Sequence, residues 1–186
     1  IIINKKFLAY NLGLEMIESL SDRKDYPCLK NFSYLNQASL GLIGESAVFA
    51  MQKFLNETAR HGNLNMSDSD EATFLNSLRL KIAHLLKAQV EHIAIISSAS
   101  EILSQLPSLI DPKKGDEIIL ISSDFPSITR PWIAYSRKKN INLIFVNEHI
   151  NKNLTEQIVE NINEKTSAVC VSLVQFSSGT YLDISK

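Results

Sequence analysis

The chain has 186 residues, of which 45 % are apolar and 21 % charged, with 19 basic and 20 acidic side chains. This composition is typical of a globular protein, and the length predicts one domain or slightly more. A net charge of −1 leaves no basic field for nucleic acid. No stretch approaches the roughly 18 uninterrupted apolar residues of a membrane-spanning helix. Two distant cysteines, Cys28 and Cys170, indicate reduced thiols in a cytoplasmic protein.

The first part of the chain is predicted to be mainly helical. Residues 1–33 form a predicted N-terminal arm with a helix over 5–20, and residues 34–41 suggest a short strand and a polar loop. Apolar residues recur at helical spacing over 47–55, where Gly62 would end the helix. A second apolar stripe covers 75–85, and its predicted N-cap lies within 67–70.

Strand and helix patterns then alternate. The predicted strands cover 92–96, 116–121, 141–146 and 167–173. The predicted helices between them cover 99–109, 126–139 and 153–162. This alternation predicts an α/β fold, a three-layer α/β/α arrangement around a mainly parallel sheet, with a helical arm before it. Near-continuous apolar strands fit a sheet that is buried on both faces.

The segments that follow the strands are the candidate site, because ligands of such sheets bind at the carboxyl ends of the strands. Residues 97–101 carry hydroxyls and free N–H groups at the start of a helix. They suit either a phosphate or an ordinary N-cap with an acidic first turn. Phe125 and Trp132 are either platforms for a planar ligand or core aromatics. Neither a G-x-G-x-x-G motif nor a Walker A motif is present, and the four histidines lack metal-ligand spacing.

Four segments in this order carry a family resemblance. They are YLNQASLG at 34–41, ISSASE at 96–101, SDFPSITRPW at 123–132 and VSLVQFSSGTYLD at 171–183. Together they resemble the class V aminotransferase family. This is the fold-type I group of pyridoxal-phosphate enzymes, which includes cysteine desulfurases and kynureninases. The resemblance covers the chain from about residue 34 to residue 183.

The resemblance implies roles for five cofactor-binding residues. Ala99 and Ser100 match the loop that holds the cofactor phosphate, which agrees with the anion site expected from the residues themselves. Phe125 matches the ring that stacks on the pyridine. Gln175 and Phe176 match the segment beside the phenolic oxygen, where many relatives have an asparagine and this chain has Phe176.

The resemblance also implies a substrate-binding loop, in which Asn36, Ala38 and Ser39 border the substrate carboxylate. Three further groups are needed: a lysine for the Schiff base, an aspartate for the pyridine nitrogen and a cation for the carboxylate. In the family all three lie downstream of the matched segments, so we expect no catalytic residue in this chain. We expect 34–186 to be the first part of a large domain, within a longer polypeptide.

The resulting expectation is a pyridoxal-phosphate-dependent enzyme acting on a small amino acid. Its reaction would be transamination or cysteine-desulfurase-like chemistry. The resemblance further implies a homodimer. The net charge, the lack of a long apolar run and the histidine spacing lead us to expect neither nucleic acid nor membrane as a partner, and no metal. The alternative is a non-catalytic truncated or split relative that binds a partner chain or a phosphate ligand.

Overall fold

The computed structural model describes residues 22–149 and 151–185. These residues fall into two compact units, divided between Ser77 and Leu78, and each unit is described by itself. The predicted helix over 5–20 lies outside the described residues, and the predicted boundary at 33/34 stays a prediction. Among the described helices, none has the length and apolar character needed to cross a membrane.

The first unit is built around a capped helix. Two short 3-10 helices, Arg23–Asp25 and Pro27–Lys30, precede α1, which covers Glu45–His61. The Asp25 carboxylate accepts hydrogen bonds from the Ser46 N–H at 2.8 Å and the Ser46 hydroxyl at 2.7 Å. These bonds, the hydroxyl first, lower the pKa of Asp25 below its ordinary value. Asp25 therefore serves as a cap that is distant in sequence from α1.

Glycine at position 44 is required by this cap. A Cβ added to Gly44 would lie 2.0 Å from Asp25 Oδ2, which is closer than any real contact allows. A side chain there would displace the carboxylate from the start of α1.

The predicted helix over 75–85, with its cap at 67–70, is two helices in the structure. Ser67 and Asp70 form a capping box, but the helix that they begin, α2, covers only Asp68–Thr73. The Phe74 N–H bonds to the Glu71 carbonyl, a tighter turn that ends α2. The apolar stripe then belongs mostly to a separate helix, α3, over Asn76–Leu86.

The second unit contains a three-stranded parallel sheet. Its helices are the greater part of α3, then α4 (Ala99–Ile110), α5 (Pro126–Lys139) and α6 (Leu154–Glu160). Its strands are β1 (Glu117–Ile121), β2 (Asn142–Val146) and β3 (Thr166–Cys170). The strand order is β2–β1–β3, and both pairings are parallel. The α/β prediction is therefore confirmed.

Both faces of the sheet are covered, as the three-layer prediction requires. Residues 118–121 of β1 have no exposed surface. On one face, Ile119 and Ile121 pack with Leu154 and Ile158 of α6. On the other face, Ile118 and Leu120 pack with Trp132 of α5 and with Leu106 of α4.

Two predicted strands are wrong. Residues 92–96 are not a strand: a 3-10 helix covers Val90–His92, and the run pairs with no strand among the described residues. Its carbonyls are used locally, because the Arg79 guanidinium donates to Ile93 O and Val90 O at 3.0 Å each. Residues 34–36 are likewise irregular rather than a strand.

The third strand ends earlier than predicted, at Cys170 instead of residue 173. The physical reason is that the Ser172 N–H donates to the Asp124 carboxylate at 2.8 Å instead of to a neighbouring strand.

We expect Trp132→Ala to lower the free energy of unfolding by about 3 to 5 kcal/mol, because the ring is fully buried against the sheet and its removal leaves a cavity. Trp132→Phe, which retains an aromatic ring, should lose much less. Urea unfolding of both variants measures this. A loss below about 1 kcal/mol for the alanine variant would contradict this packing.

Candidate functional site

The carboxyl ends of the three strands lie at one edge of the sheet. Residues 122–125 follow β1, residues 147–149 follow β2 and residues 171–176 follow β3. Because the strands are parallel and β1 is central, β1 shares this edge with both neighbours. Polar and aromatic side chains from three separate parts of the sequence therefore meet here, as expected for a ligand-binding edge.

The centre of this edge is a buried carboxylate, Asp124, which is 5 % exposed. Its Oδ1 accepts from the Phe125 N–H at 2.7 Å and from the Ser172 hydroxyl at 2.6 Å. Its Oδ2 accepts from the Ser172 N–H at 2.8 Å and from Gln175 Nε2 at 3.4 Å. A buried carboxylate needs such donors, and these four join the end of β1 to the segment after β3.

Two aromatic rings stand beside this carboxylate. The rings of Phe125 and Phe176 contact each other edge to face, with centroids 5.2 Å apart. Both remain substantially exposed, at 48 % and 61 %. Phe125 is also the N-cap residue of α5, so the backbone turn from strand to helix fixes the position from which its ring projects.

Gln175 is 1 % exposed, and within the described part of the chain only the nitrogen of its side-chain amide is hydrogen-bonded. Its Nε2 donates to Asp124 and, at 3.1 Å, to the Ser172 carbonyl. Its Oε1 has no hydrogen-bond partner among the described residues, and neither has the buried Ser123 hydroxyl. The edge thus holds polar atoms whose hydrogen-bonding capacity is not used within this part of the chain.

The helices α4 and α5 begin close together. The Ser100 hydroxyl lies 2.7 Å from the Ser127 hydroxyl, and these residues occupy the first turns of the two helices. The first N–H groups of a helix have no partner within the helix, and its dipole favours negative charge. Ala99 and Ser100, predicted to hold a phosphate, are at such a start.

The loop before α4 is fixed by its own side chains. Ser98 caps the helix by accepting from the Glu101 N–H at 3.2 Å. The Glu101 carboxylate accepts from the Ser97 hydroxyl at 2.6 Å and from the Ser97 N–H at 2.9 Å. These two bonds, the hydroxyl first, lower the pKa of Glu101 below its ordinary value. Both readings of this segment, a helix cap and an anion site, are thus compatible with one geometry.

A second carboxylate, Glu148, holds the far end of the turn after β3. It accepts from the Ser178 hydroxyl at 2.8 Å and from the Thr180 hydroxyl. Gly179 between them has φ +74°, a conformation that favours glycine. A groove of about 620 Å³ lies on this side of the edge, where Glu148 is joined by Ser122, Asn147 and Lys152 among others.

Within the second unit, the structure brings several of the predicted residues together. Phe125, Gln175 and Phe176 meet around Asp124, and Ser100 reaches Ser127. The loop of Asn36, Ala38 and Ser39 belongs to the first unit. There the Asn36 carbonyl accepts from the Ser39 N–H at 3.2 Å and closes a turn.

Burial decides between the two alternatives that the sequence leaves open for the aromatics. Trp132 is a core residue, whereas Phe125 is exposed at the edge. Both cysteines are free thiols, and burial raises the pKa of Cys170. No cluster of metal-ligating side chains occurs among residues 22–149 and 151–185.

Sequence reasoning missed Asp124, Ser127 and Glu148. Asp124 directly follows a buried strand and two serines, which is a usable local signal for a polar residue at a site. Glu148 has the same kind of signal, because it closely follows β2. The partners of Ser127 and Glu148 lie about 30 residues away in the chain, so the contacts themselves cannot be predicted locally.

Comparison with known proteins finds relatives that are named as cysteine desulfurases or aminotransferases. A probable cysteine desulfurase of Mycoplasma pneumoniae is 26 % identical over 110 residues, which cover 58 % of this chain and 27 % of that protein. An uncharacterised aminotransferase of Bacillus subtilis is 25 % identical over 163 residues, which cover 87 % of this chain and 42 % of that protein. The chain spans less than half the length of these relatives.

Two solved structures share the fold. A variant of C-DES with glycine covalently linked to its pyridoxal-phosphate cofactor matches with a TM-score of 0.74 and 20 % identity, over 87 % of this chain and 43 % of that one. The apo cysteine desulfurase of Thermococcus onnurineus matches with a TM-score of 0.69 and 23 % identity, over 87 % and 42 % of the two chains.

The sequence pattern of one family matches nearly the whole described chain. The class V aminotransferase pattern covers residues 33–186, which include all four segments that carry the resemblance. Class V aminotransferases are pyridoxal-phosphate enzymes. The chain therefore belongs to the class V aminotransferase family.

Proposed function

We propose that the complete protein is a pyridoxal-phosphate-dependent enzyme that acts on a small amino acid. The observation that carries this proposal is the meeting of Phe125, Gln175 and Phe176 around buried Asp124, at the carboxyl edge of a parallel sheet. Membership of the class V aminotransferase family also supports it.

The residues at this edge fit the chemistry of the cofactor. An exposed ring at Phe125 suits one face of a planar pyridine and would exclude water from it. The adjoining starts of α4 and α5 suit a phosphate, which Ala99 would hold by its backbone N–H and Ser100 by its hydroxyl. The unused Oε1 of Gln175 adds hydrogen-bonding capacity in the same region.

Phe176 is the residue at which this site differs from many relatives, which have an asparagine at that position. A phenylalanine cannot donate the hydrogen bond that an asparagine would give to the phenolic oxygen. Gln175 does not replace that donor as it stands, because its Nε2 donates to Asp124 and Ser172 and its Oε1, which has no partner among the described residues, can only accept. The Phe176 ring instead packs edge to face on Phe125 and would hold the stacking ring in place.

The substrate is proposed to be a small amino acid, with cysteine as the first candidate. When bound, pyridoxal phosphate withdraws electrons from the bond that breaks at the substrate. Support for cysteine comes from the names of relatives, which include cysteine desulfurases. Asn36, Ala38 and Ser39 are proposed to border the substrate carboxylate. The lysine, aspartate and cation that the chemistry needs would come from chain beyond these 186 residues.

We also propose that the enzyme is a cytoplasmic homodimer. The free state of Cys28 and Cys170 agrees with a reducing compartment. The homodimer rests on the family resemblance alone.

The absorption spectrum of the complete protein tests the cofactor. We expect a yellow band that borohydride abolishes, together with cofactor mass retained on one lysine outside this chain. A protein that stays colourless with added pyridoxal phosphate would contradict the proposal.

We expect Phe125→Ala to weaken cofactor binding by about 1 to 3 kcal/mol, because it removes the stacking ring. The matched control is Phe145→Ala, since Phe145 is similarly exposed (42 %) but lies within β2 instead of after a strand. Titration of the apoenzyme gives both dissociation constants. Equal affinity in the wild type and in Phe125→Ala would remove Phe125 from the site.

We expect Ser100→Ala to weaken binding of pyridoxal phosphate by roughly 1 kcal/mol, through the loss of one hydrogen bond to the phosphate. Pyridoxal without its phosphate should bind the variant and the wild type alike. Ser104→Ala is the control, because that hydroxyl bonds to the Glu101 carbonyl one turn further along α4. If the wild type binds the two cofactor forms equally well, the anion site is wrong.

A further inference from the structure

We propose that Asp124 is the positioning residue of this site. Its carboxylate fixes the turn after β3 against the end of β1, and so sets the orientation in which Phe125 and Gln175 meet the cofactor. This inference rests on the proposed function and deepens it.

In the hydrogen bonds of Asp124, both side-chain oxygens act as acceptors. Its partners are two backbone N–H groups, one hydroxyl and one amide Nε2, which all donate to it. A carboxylate can accept from all of them, whereas an asparagine of the same shape would turn its NH₂ group toward other donors. Because the side chain is buried, water cannot take over a lost bond. The position therefore depends on the carboxylate and not only on its shape.

Two of the partners of Asp124, Phe125 and Gln175, belong to the proposed cofactor site, and the third, Ser172, begins the turn that leads to Phe176. Phe125 is held through its own N–H, which fixes the backbone at the base of its ring. Gln175 is held through Nε2, so its amide is oriented with Oε1 as the free end. Ser172 is held through both its N–H and its hydroxyl, which anchors the start of the turn that carries Phe176. The edge-to-face contact between the two rings follows from these anchors.

The same pair of strands offers a matched control at its other end. Asp116 precedes β1, and its Oδ2 accepts from the Ser167 hydroxyl of β3 at 2.5 Å. It is therefore also a carboxylate that bridges β1 and β3. With a rise of about 3.3 Å per residue, the five residues of β1 put it roughly 16 Å from the carboxyl edge.

The experiment compares Asp124→Asn and Asp116→Asn in the complete protein loaded with pyridoxal phosphate. The first readout is the visible circular dichroism per bound cofactor, which reports how asymmetrically the protein holds the ring and not how much protein is folded. The second is the cofactor dissociation constant. We expect Asp124→Asn to lose at least half of the dichroism and to raise the dissociation constant about tenfold, as for one lost hydrogen bond to a charged group. Asp116→Asn should leave both unchanged.

Unchanged dichroism and affinity in Asp124→Asn would overturn the inference while the proposed function stands. Equal losses in both variants would also overturn it, because they would show a general effect on the sheet. A wild type without any cofactor signal would instead overturn the proposed function, and this inference with it.

If Asp124→Asn does not fold, Ser172→Ala takes its place. It removes one donor at 2.6 Å but keeps the carboxylate and the Ser172 N–H. A reduced dichroism per bound cofactor supports the inference, and an unchanged one overturns it.

Discussion

The burial of four of the five residues of β1 is the constraint on which the rest of the second unit depends. Four consecutive residues, 118–121, have no exposed surface, because α6 covers one face of the sheet and α4 and α5 cover the other. Such a strand offers no side chain to a ligand along its length. Its first polar contributions come after Ile121, so the chemistry of the unit is concentrated at one edge.

The elements that could be predicted from sequence are those with local signals. The bounds of α5 are as predicted, because Pro126 suits the first turn and Asn140 ends the helix in a left-handed conformation. Residues 92–96 show the opposite case. Their apolar, β-branched run is typical of a strand, but a strand also needs a neighbour, and the local sequence does not contain that information.

The same distinction applies to the site. Residue type alone left Phe125 open between a ligand platform and a core aromatic, and the family resemblance is what points to Phe125, Gln175 and Phe176. The position of Asp124 after a strand could be used locally, but its hydrogen bonds could not be predicted, because Ser172 lies 48 residues away in the sequence. A hydrogen bond of that separation becomes visible only when the strand order and the register are known.

The two ends of the β1–β3 pair carry the same kind of hydrogen bond, from a serine hydroxyl to a carboxylate, but the two carboxylates differ in burial. Asp116 and Asp124 both accept from a serine hydroxyl near β3, at 2.5 Å and 2.6 Å. The Ser167 hydroxyl and the Lys113 N–H lower the pKa of Asp116, but that carboxylate is accessible to solvent, so water can replace its partner and the bridge adds little order. Asp124 is buried and lies just before α5, where the helix dipole favours negative charge. Its bonds have no substitute, so each of them contributes to fixing the carboxyl edge. The sheet thereby has a buried, hydrogen-bonded carboxylate at the edge where α5 also begins, and the start of a helix favours an anionic ligand.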